Sequence, residues 1–349
     1  MIRNAKKEID LAALQHNFDL IKQQAPNSKI LAMIKANAYG HDALRIASNL
    51  RQADAFGVAS LGEALTLRRA GAVQRIVLMS SFLGSEELIE LARYDLEWVI
   101  HSPWQLDLLE KTELKSPIFI WFKIDTGMHR LGFLPDEVSK AYARIKKISS
   151  KLKGCNLLSH FACADEKENP MTSHQIELFN QLTKSFPGER SLANSAAIFA
   201  WPESHADWNR PGLALYGISP FPKQTGSELG LHPVMRLSAP LIAIHDIPKG
   251  DRIGYGSTYT CEKDTRVGII GAGYADGYPR QAPSGTPVYL NKQTVPLIGR
   301  VSMDIITVDL TTSPESKVGD MAVLWGPELP IEILSKHSGV LTYQLLCNS

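Results

Sequence analysis

The sequence predicts an α/β protein: a (β/α)8 barrel of the TIM type over residues 1–220, then a mainly β domain over residues 221–349. Three observations carry that expectation. Short apolar runs alternate with helical patterns repeatedly from Ile30 to Gly217. The first run, Ile30–Ile34, is apolar at every position, which suits a strand buried on both faces. Beyond Pro220 the helical patterns cease and β-type segments follow one another directly.

Taken in order, the first-domain strands are Ile30–Ile34, Ala55–Ala59, Arg75–Met79, Glu97–His101, Ile118–Ile124, Asn156–His160, Arg190–Leu192 and Leu213–Leu215. Helical spacing lies between them at Glu63–Ala70, Glu86–Arg93, Asp136–Ile145 and Gln175–Phe186. Strand, helix and strand repeated in this way imply parallel pairing with helical crossovers, and about eight units close a barrel. An open doubly wound sheet is the competing arrangement, but the first strand-to-helix turn lacks a G-x-G-x-x-G fingerprint. Pro222, Gly226, Gly230 and Pro233 mark a loop-rich boundary. Strands then follow at Leu241–Ile247, Arg266–Gly271, Pro287–Leu290, Ile305–Leu310 and Met321–Leu324, each bounded by Gly, Pro or Asp turns, with a helix at Pro330–Ser338.

Composition excludes several classes. The chain has 37 Lys and Arg against 36 Asp and Glu, a net charge of +1. Nothing in that balance favours a nucleic acid or a membrane surface as partner. The N-terminal Met1–Glu8 stretch has positive charge without a following apolar run, so it does not read as a secretory signal, and no stretch has transmembrane length. Cys155, Cys163, Cys261 and Cys347 are widely separated, without metal-binding or redox spacing. They read as reduced thiols of a cytoplasmic protein, and no metal site is expected.

The strand Ile30–Ile34 ends abruptly in Lys35, followed by Ala36, Asn37, Ala38, Tyr39, Gly40 and His41. Burying an unpartnered ammonium is costly. A lysine where such a strand gives out is either a snorkelling end residue or a functional amine. In a parallel barrel that position opens onto the face where active sites sit, and a partly buried amine there suits Schiff-base formation with an aldehyde.

Further stretches join it: Lys123-Ile-Asp125-Thr-Gly-Met-His-Arg130-Leu-Gly132, His160-Phe-Ala-Cys-Ala-Asp165, Ala193-Asn194-Ser195-Ala196 and Asn209-Arg210-Pro-Gly212-Leu213-Ala-Leu-Tyr216-Gly217. The second domain adds Gly254-Tyr255-Gly256, Gly273-Tyr274-Ala-Asp-Gly-Tyr278-Pro-Arg280 and Gly299-Arg300-Val-Ser-Met303-Asp304. Together, in order and from about Ile9 to Leu346, these motifs resemble the alanine racemases, enzymes that use pyridoxal 5'-phosphate.

The resemblance implies the following roles. Lys35 matches the lysine that forms the imine with pyridoxal phosphate and serves as base on one face of the substrate Cα. Tyr255 matches the opposing catalytic tyrosine, acting on the other face. Tyr39, Asn194, Ser195, Gly212, Leu213 and Tyr343 match phosphate contacts. Arg210 matches the residue facing the pyridine nitrogen, and His160 the histidine linked to it. A guanidinium cannot give up its proton in practice, so the nitrogen stays unprotonated and reprotonation at Cα is favoured over transamination or decarboxylation. Arg130 and Met303 match the contacts to the substrate carboxylate, and Asp304 neighbours them. Lys123 matches a lysine that is carbamylated in many members, and Tyr274 a residue at the entrance. Members are homodimers with shared sites, making D-alanine from L-alanine for peptidoglycan, and they commonly continue beyond the position of Ser349.

Taken singly, each residue has a plainer reading. Asn-Ser is an ordinary helix cap, Tyr255 a turn aromatic between glycines, and Arg210 a structural arginine before Pro-Gly. The competing functions are a broad-specificity amino-acid racemase, a decarboxylase of related fold, a non-catalytic pyridoxal phosphate carrier and an aldolase forming a Schiff base without the cofactor. Arg210 disfavours the decarboxylase, and the second domain with Tyr255 and Met303 disfavours the carrier.

Overall fold

Every residue from Ile30 to Ile34 is buried, which is what an all-apolar run accomplishes inside a parallel sheet covered on both faces. In the computed structural model, which describes residues 3–349, this run forms the strand Lys29–Met33, the first of a closed barrel. The others are Ala55–Val58, Arg75–Leu78, Glu97–Ile100, Ile118–Lys123, Leu152–Leu158, Arg190–Asn194 and Trp208–Arg210. All neighbours pair in parallel, and the barrel closes where Lys29 and Ile30 face Trp208 and Asn209. Helices Ala43–Asn49, Leu61–Arg69, Ser85–Arg93, Pro103–Lys111, Val138–Lys147, Met171–Thr183 and Ser195–Ala200 lie between the strands in sequence.

Two strand expectations need correction. The eighth strand is Trp208–Arg210, whereas Leu213–Tyr216 winds into a 3-10 turn. Pro211 has no N–H to continue a ladder, and its carbonyl accepts the Met33 N–H at 2.9 Å as the chain leaves the sheet. An apolar Leu-Ala-Leu run looks the same to periodicity whether it is a buried strand or a buried turn. The sixth strand starts at Leu152 and stops at Leu158, so Ser159 and His160 stand beyond its C-terminal end.

The strand beginnings carry a second feature. Glu97, nearly inaccessible, accepts hydrogen bonds from the Arg75 guanidinium and from Trp121 Nε1 at 2.6 Å. That guanidinium lies 4.5 Å from the Phe119 ring centroid and 5.0 Å from that of Trp208. A cation paired and stacked in this way closes one end of the barrel interior without an unmatched charge.

The chain divides into two units: Asn17–Leu215, which holds the barrel, and the stretch up to His16 together with Tyr216–Ser349. A division by sequence order at residue 220 misses that early stretch. Lys6–Ile9 pairs antiparallel with the long strand Met235–Ile247, Lys6 opposite Ser238 and Ile9 opposite Met235. Met235–Ile247 also pairs with Met321–Trp325 and Thr265–Ile270. Pro287–Leu290, Gln293–Pro296 and Ile306–Asp309 complete an antiparallel seven-stranded sheet. The ladder shifts register on either side of Pro240, which lets a 13-residue strand serve two neighbours on one side in succession. A separate ribbon, Arg252–Ile253 with Tyr259–Thr260, projects a turn above a small core of Ile253, Cys261, Val267 and Ile298. Helices Ile331–Ser338 and Thr342–Asn348 follow the sheet. Among the described residues, no helix is long and apolar enough to cross a membrane.

Candidate active site

Lys35 leaves the end of its strand into an uncommon piece of backbone. Ala36, Asn37, Ala38 and Tyr39 all have φ between 51° and 55°, and the ψ angles of the first three are close to 50°. That is a full left-handed turn made without glycine. The left-handed helix costs L-residues about 1–2 kcal/mol each, so such residues visit it singly if at all. Strain of this kind persists only where the surroundings over-determine it. Here Ala36 N–H donates to Glu63 Oε1 at 2.8 Å, and the fully buried His41 ring donates from Nδ1 to the carbonyl of Tyr39 at 2.8 Å. Asn37 Oδ1 takes the Ala43 N–H at 2.9 Å.

The turn carries the Tyr39 hydroxyl to Gly212, where a Cβ would lie only 2.8 Å from it. Gly212 is thus required by close approach. Ser195 Oγ accepts the N–H groups of Gly212, at 2.9 Å, and Ala214, at 3.3 Å. Asn194 caps the helix Ser195–Ala200 through Ala197 N–H at 3.0 Å, in keeping with its plainer reading. Leu213 is buried at the start of the 3-10 turn.

Arg210, 4% exposed, ends the eighth strand. Its Nη1 donates to Ser191 Oγ at 2.6 Å; its Nη2 donates to Ser159 O at 2.6 Å and Leu192 O at 3.0 Å, and stands 3.3 Å from His160 Nδ1. Burial lowers this guanidinium to about 10, which leaves it charged at neutral pH. His160 is pushed well below the usual histidine range by burial and by Arg210, Lys123, Arg130 and Lys35, so it is neutral. Behind it, Gln175 is wholly buried: Nε2 donates to His160 O at 3.0 Å and to Thr126 Oγ1 at 3.2 Å, while Oε1 accepts Ala162 N–H at 2.9 Å.

Lys123, 8% exposed, ends the fifth strand. Burial, with Arg210 and Arg130 beside it, lowers its amine to about 8, and Asp125 offsets part of this. Asp125 Oδ1 accepts Gly127 N–H at 2.9 Å and His129 N–H at 3.1 Å, shaping the loop that presents the exposed Arg130. Lys35, Lys123, Arg130 and Arg210 therefore crowd the C-terminal mouth of the barrel around a neutral histidine. Such a field concentrates a ligand with several negative charges.

The second unit gathers Tyr255, Met303 and Asp304 along one open groove of about 720 Å3 with Arg300 and Ser302. Tyr255 sits at the tip of the ribbon, 71% exposed, in a turn flanked by Gly254 and Gly256, both at φ 73°. Met303 is 53% exposed. The carbonyls of Ser302 and Met303 accept the N–H groups of Tyr274 and Ala275 at 3.1 and 3.0 Å. Arg3 bridges Asp276 and Asp304, so the Asp304 carboxylate is engaged with a cation from the chain's beginning. Tyr343, in the last helix, does not line this groove.

Sequence reasoning missed Glu63, His41, Gln175 and Arg3. Only Glu63 had a local signal, as the fourth residue of a Ser-x-x-Glu capping box, and that signal speaks of a helix start.

The same arrangement has known relatives. Residues 9–220 match the family model of the alanine racemase N-terminal domain, and residues 234–349 that of the C-terminal domain. An alanine racemase of Vibrio parahaemolyticus is 48% identical over 345 residues, 99% of this chain and 96% of that one. Another, of Vibrio vulnificus, is 50% identical over 97% of this chain and 94% of that one. Among solved structures, the biosynthetic alanine racemase of Pseudomonas aeruginosa superposes with a TM-score of 0.96 at 41% identity, covering 99% of this chain and 97% of that one. That of Acinetobacter baumannii gives 0.93 at 37% identity, with 99% and 97% covered. With both family models matched in order and relatives this similar along nearly its whole length, the chain belongs to the alanine racemase family.

Proposed function

We propose that this chain interconverts L- and D-alanine with pyridoxal phosphate, as a cytoplasmic homodimer whose D-alanine goes to peptidoglycan. The observation that carries the reading is the convergence of Lys35, Lys123, Arg130 and Arg210 on the barrel mouth around a neutral His160.

The residues present fit the cofactor. The Tyr39 hydroxyl, Ser195 and the side-chain-free Gly212 make a small polar cradle for a phosphate; Asn194, Leu213 and Tyr343 keep the phosphate assignment that the family resemblance gives them. Lys35 would hold the aldehyde carbon and Arg210 would face the ring nitrogen. Bound there, pyridoxal phosphate would draw electrons from the alanine Cα and make its hydrogen acidic.

The rest is the work of this chain's side chains. Arg210 keeps its protons at neutral pH, so facing the ring nitrogen it would act as a donor and leave that nitrogen uncharged. Arg130 binds the alanine carboxylate as a two-pronged donor, with the backbone of Met303 and the neighbouring Asp304 completing that side. Lys35 Nζ takes or returns the proton on one face of Cα. The Tyr255 hydroxyl does so on the other, which one base alone would not achieve without returning the proton to the face it left. Lys123, with its amine lowered to about 8, offers far more of the free amine that carbamylation by carbon dioxide requires than an ordinary lysine does at neutral pH; the carbamate would replace a buried cation with an anion facing Arg130.

The exposure of Tyr255 and Met303 side by side suits a surface covered in use. We assign its cover to the barrel mouth of a second copy. The direct test is the conversion of L-alanine to D-alanine, followed by chiral separation. Wild-type protein with pyridoxal phosphate racemises alanine, Lys35→Ala does not, and equal rates from the two would contradict the reading.

A further inference from the structure

The left-handed turn behind Lys35 is strained, and a strained turn relaxes unless something outside it holds it. Relaxation would re-aim Lys35 at one end and withdraw the Tyr39 hydroxyl from Gly212 at the other. Within the turn, Ala38 N–H reaches Ile34 O at 2.9 Å and Gly40 N–H reaches Ala36 O at 3.1 Å. Ala36, the residue directly after the lysine, instead donates its N–H to a side chain from the next strand–helix unit: Glu63 Oε1, at 2.8 Å. The other carboxylate oxygen, Oε2, accepts Ala59 N–H at 2.7 Å and Ser60 N–H at 3.3 Å, just past the strand Ala55–Val58. One carboxylate therefore ties two adjacent strand ends together, and it is rooted in the capped helix Leu61–Arg69.

We propose that Glu63 is a positioning residue for Lys35, clamping the left-handed turn so that the amine and the Tyr39 hydroxyl stay aimed into the barrel mouth. The proposal rests on the assignment of Lys35 to the cofactor aldehyde. It requires two acceptor oxygens on one side chain. A glutamine at this position satisfies the helix start as well as glutamate does, since either residue serves a capping box. Its single oxygen cannot also serve Ala36, because the amide NH2 would face another N–H.

The test compares Glu63→Gln and Glu63→Ala with Ser60→Ala, which removes the other half of the capping box and leaves the clamp in place. Two quantities are read besides stability: hydrogen exchange of the Ala36 amide in cofactor-stripped protein, and the rate of pyridoxal phosphate uptake followed by absorbance. With Glu63→Gln, the Ala36 amide loses protection, uptake slows about tenfold or more, and kcat for the loaded enzyme falls about ten- to a hundredfold, as a displaced reacting group entails. Ser60→Ala lowers the unfolding midpoint and leaves both quantities at wild-type values. The proposal is overturned if Glu63→Gln matches wild type in uptake and exchange, or if Ser60→Ala reproduces its defects, since capping alone would then explain them. Failure of wild-type protein to take up pyridoxal phosphate would instead remove the assignment of Lys35, and this proposal with it.

Discussion

Arg210 Nη2 and His160 Nδ1 stand 3.3 Å apart. The guanidinium has only protons to offer, so Nδ1 is the acceptor and the imidazole carries its proton on Nε2. A fixed cation thereby holds one tautomer of a neutral ring, and Gln175 holds the backbone carbonyl of the same residue from behind.

Substituting Arg210 by methionine removes one of the charges that depress His160 but not the burial that depresses it most. His160 should then titrate higher, while still below the ordinary histidine range. Side-chain nitrogen NMR of labelled protein measures this, and an unchanged titration would show that the pair is not electrostatically coupled.

Lys123 ties stability to alkaline pH. Its amine titrates near 8 in the folded chain and near 10.5 when free. Between those values the unfolded chain binds the extra proton, so stability rises with pH through this window and the penalty is full below it. The shift corresponds to roughly 3 kcal/mol. Lys123→Met should flatten the rise in denaturant midpoint between those pH values, measured without carbon dioxide. With bicarbonate present, mild intact-mass measurement should show carbamate on wild type and none on Lys123→Met.

The far end of the barrel interior tests stability apart from chemistry. Glu97→Ala leaves the Arg75 guanidinium and Trp121 Nε1 without their acceptor. Denaturant unfolding should show a loss of about 1–3 kcal/mol, the usual consequence of leaving a buried indole N–H and a half-buried guanidinium without their acceptor. KM for alanine should not move, because Arg75 and Glu97 open their strands, away from the mouth.

At the phosphate cradle, Gly212→Ala would press a methyl group onto the Tyr39 hydroxyl, which lies 2.8 Å from the added carbon. Pyridoxal phosphate affinity should fall by about tenfold, near 1.4 kcal/mol. Adding Tyr39→Phe should cost less in this background than in wild type, since groups in contact couple. Strict additivity would place the two residues in separate roles.

Much of this was legible in the chain itself, for physical reasons. The barrel strands announced themselves because a parallel strand buried on both faces has to be apolar throughout, as Ile30–Ile34 and Ile118–Phe122 are. Lys35 was visible as a lysine where an apolar strand gives out, whereas Arg210 and Tyr255 stood out only through the family resemblance, since each has an ordinary turn reading by itself. The long-range partners were not. Lys6–Ile9 is charged and too short to show alternation, yet it pairs with a strand more than 220 residues away. The Ala-Asn-Ala-Tyr stretch favours an ordinary helix, and only Asn37 has any liking for the left-handed region. What holds the turn is Glu63, whose local pattern speaks only of a helix start. Leu213–Leu215 misled because burial alone does not distinguish a strand from a turn.

In the proposed reaction, Lys35 of one copy and Tyr255 of another deliver protons to opposite faces of one carbon. Coexpression of the Lys35→Ala and Tyr255→Phe chains, each inactive alone, tests this directly. Random pairing in a symmetric dimer gives mixed dimers with one intact site each, so racemisation should return to roughly a quarter of the wild-type rate. Mixed dimers with no activity would contradict it.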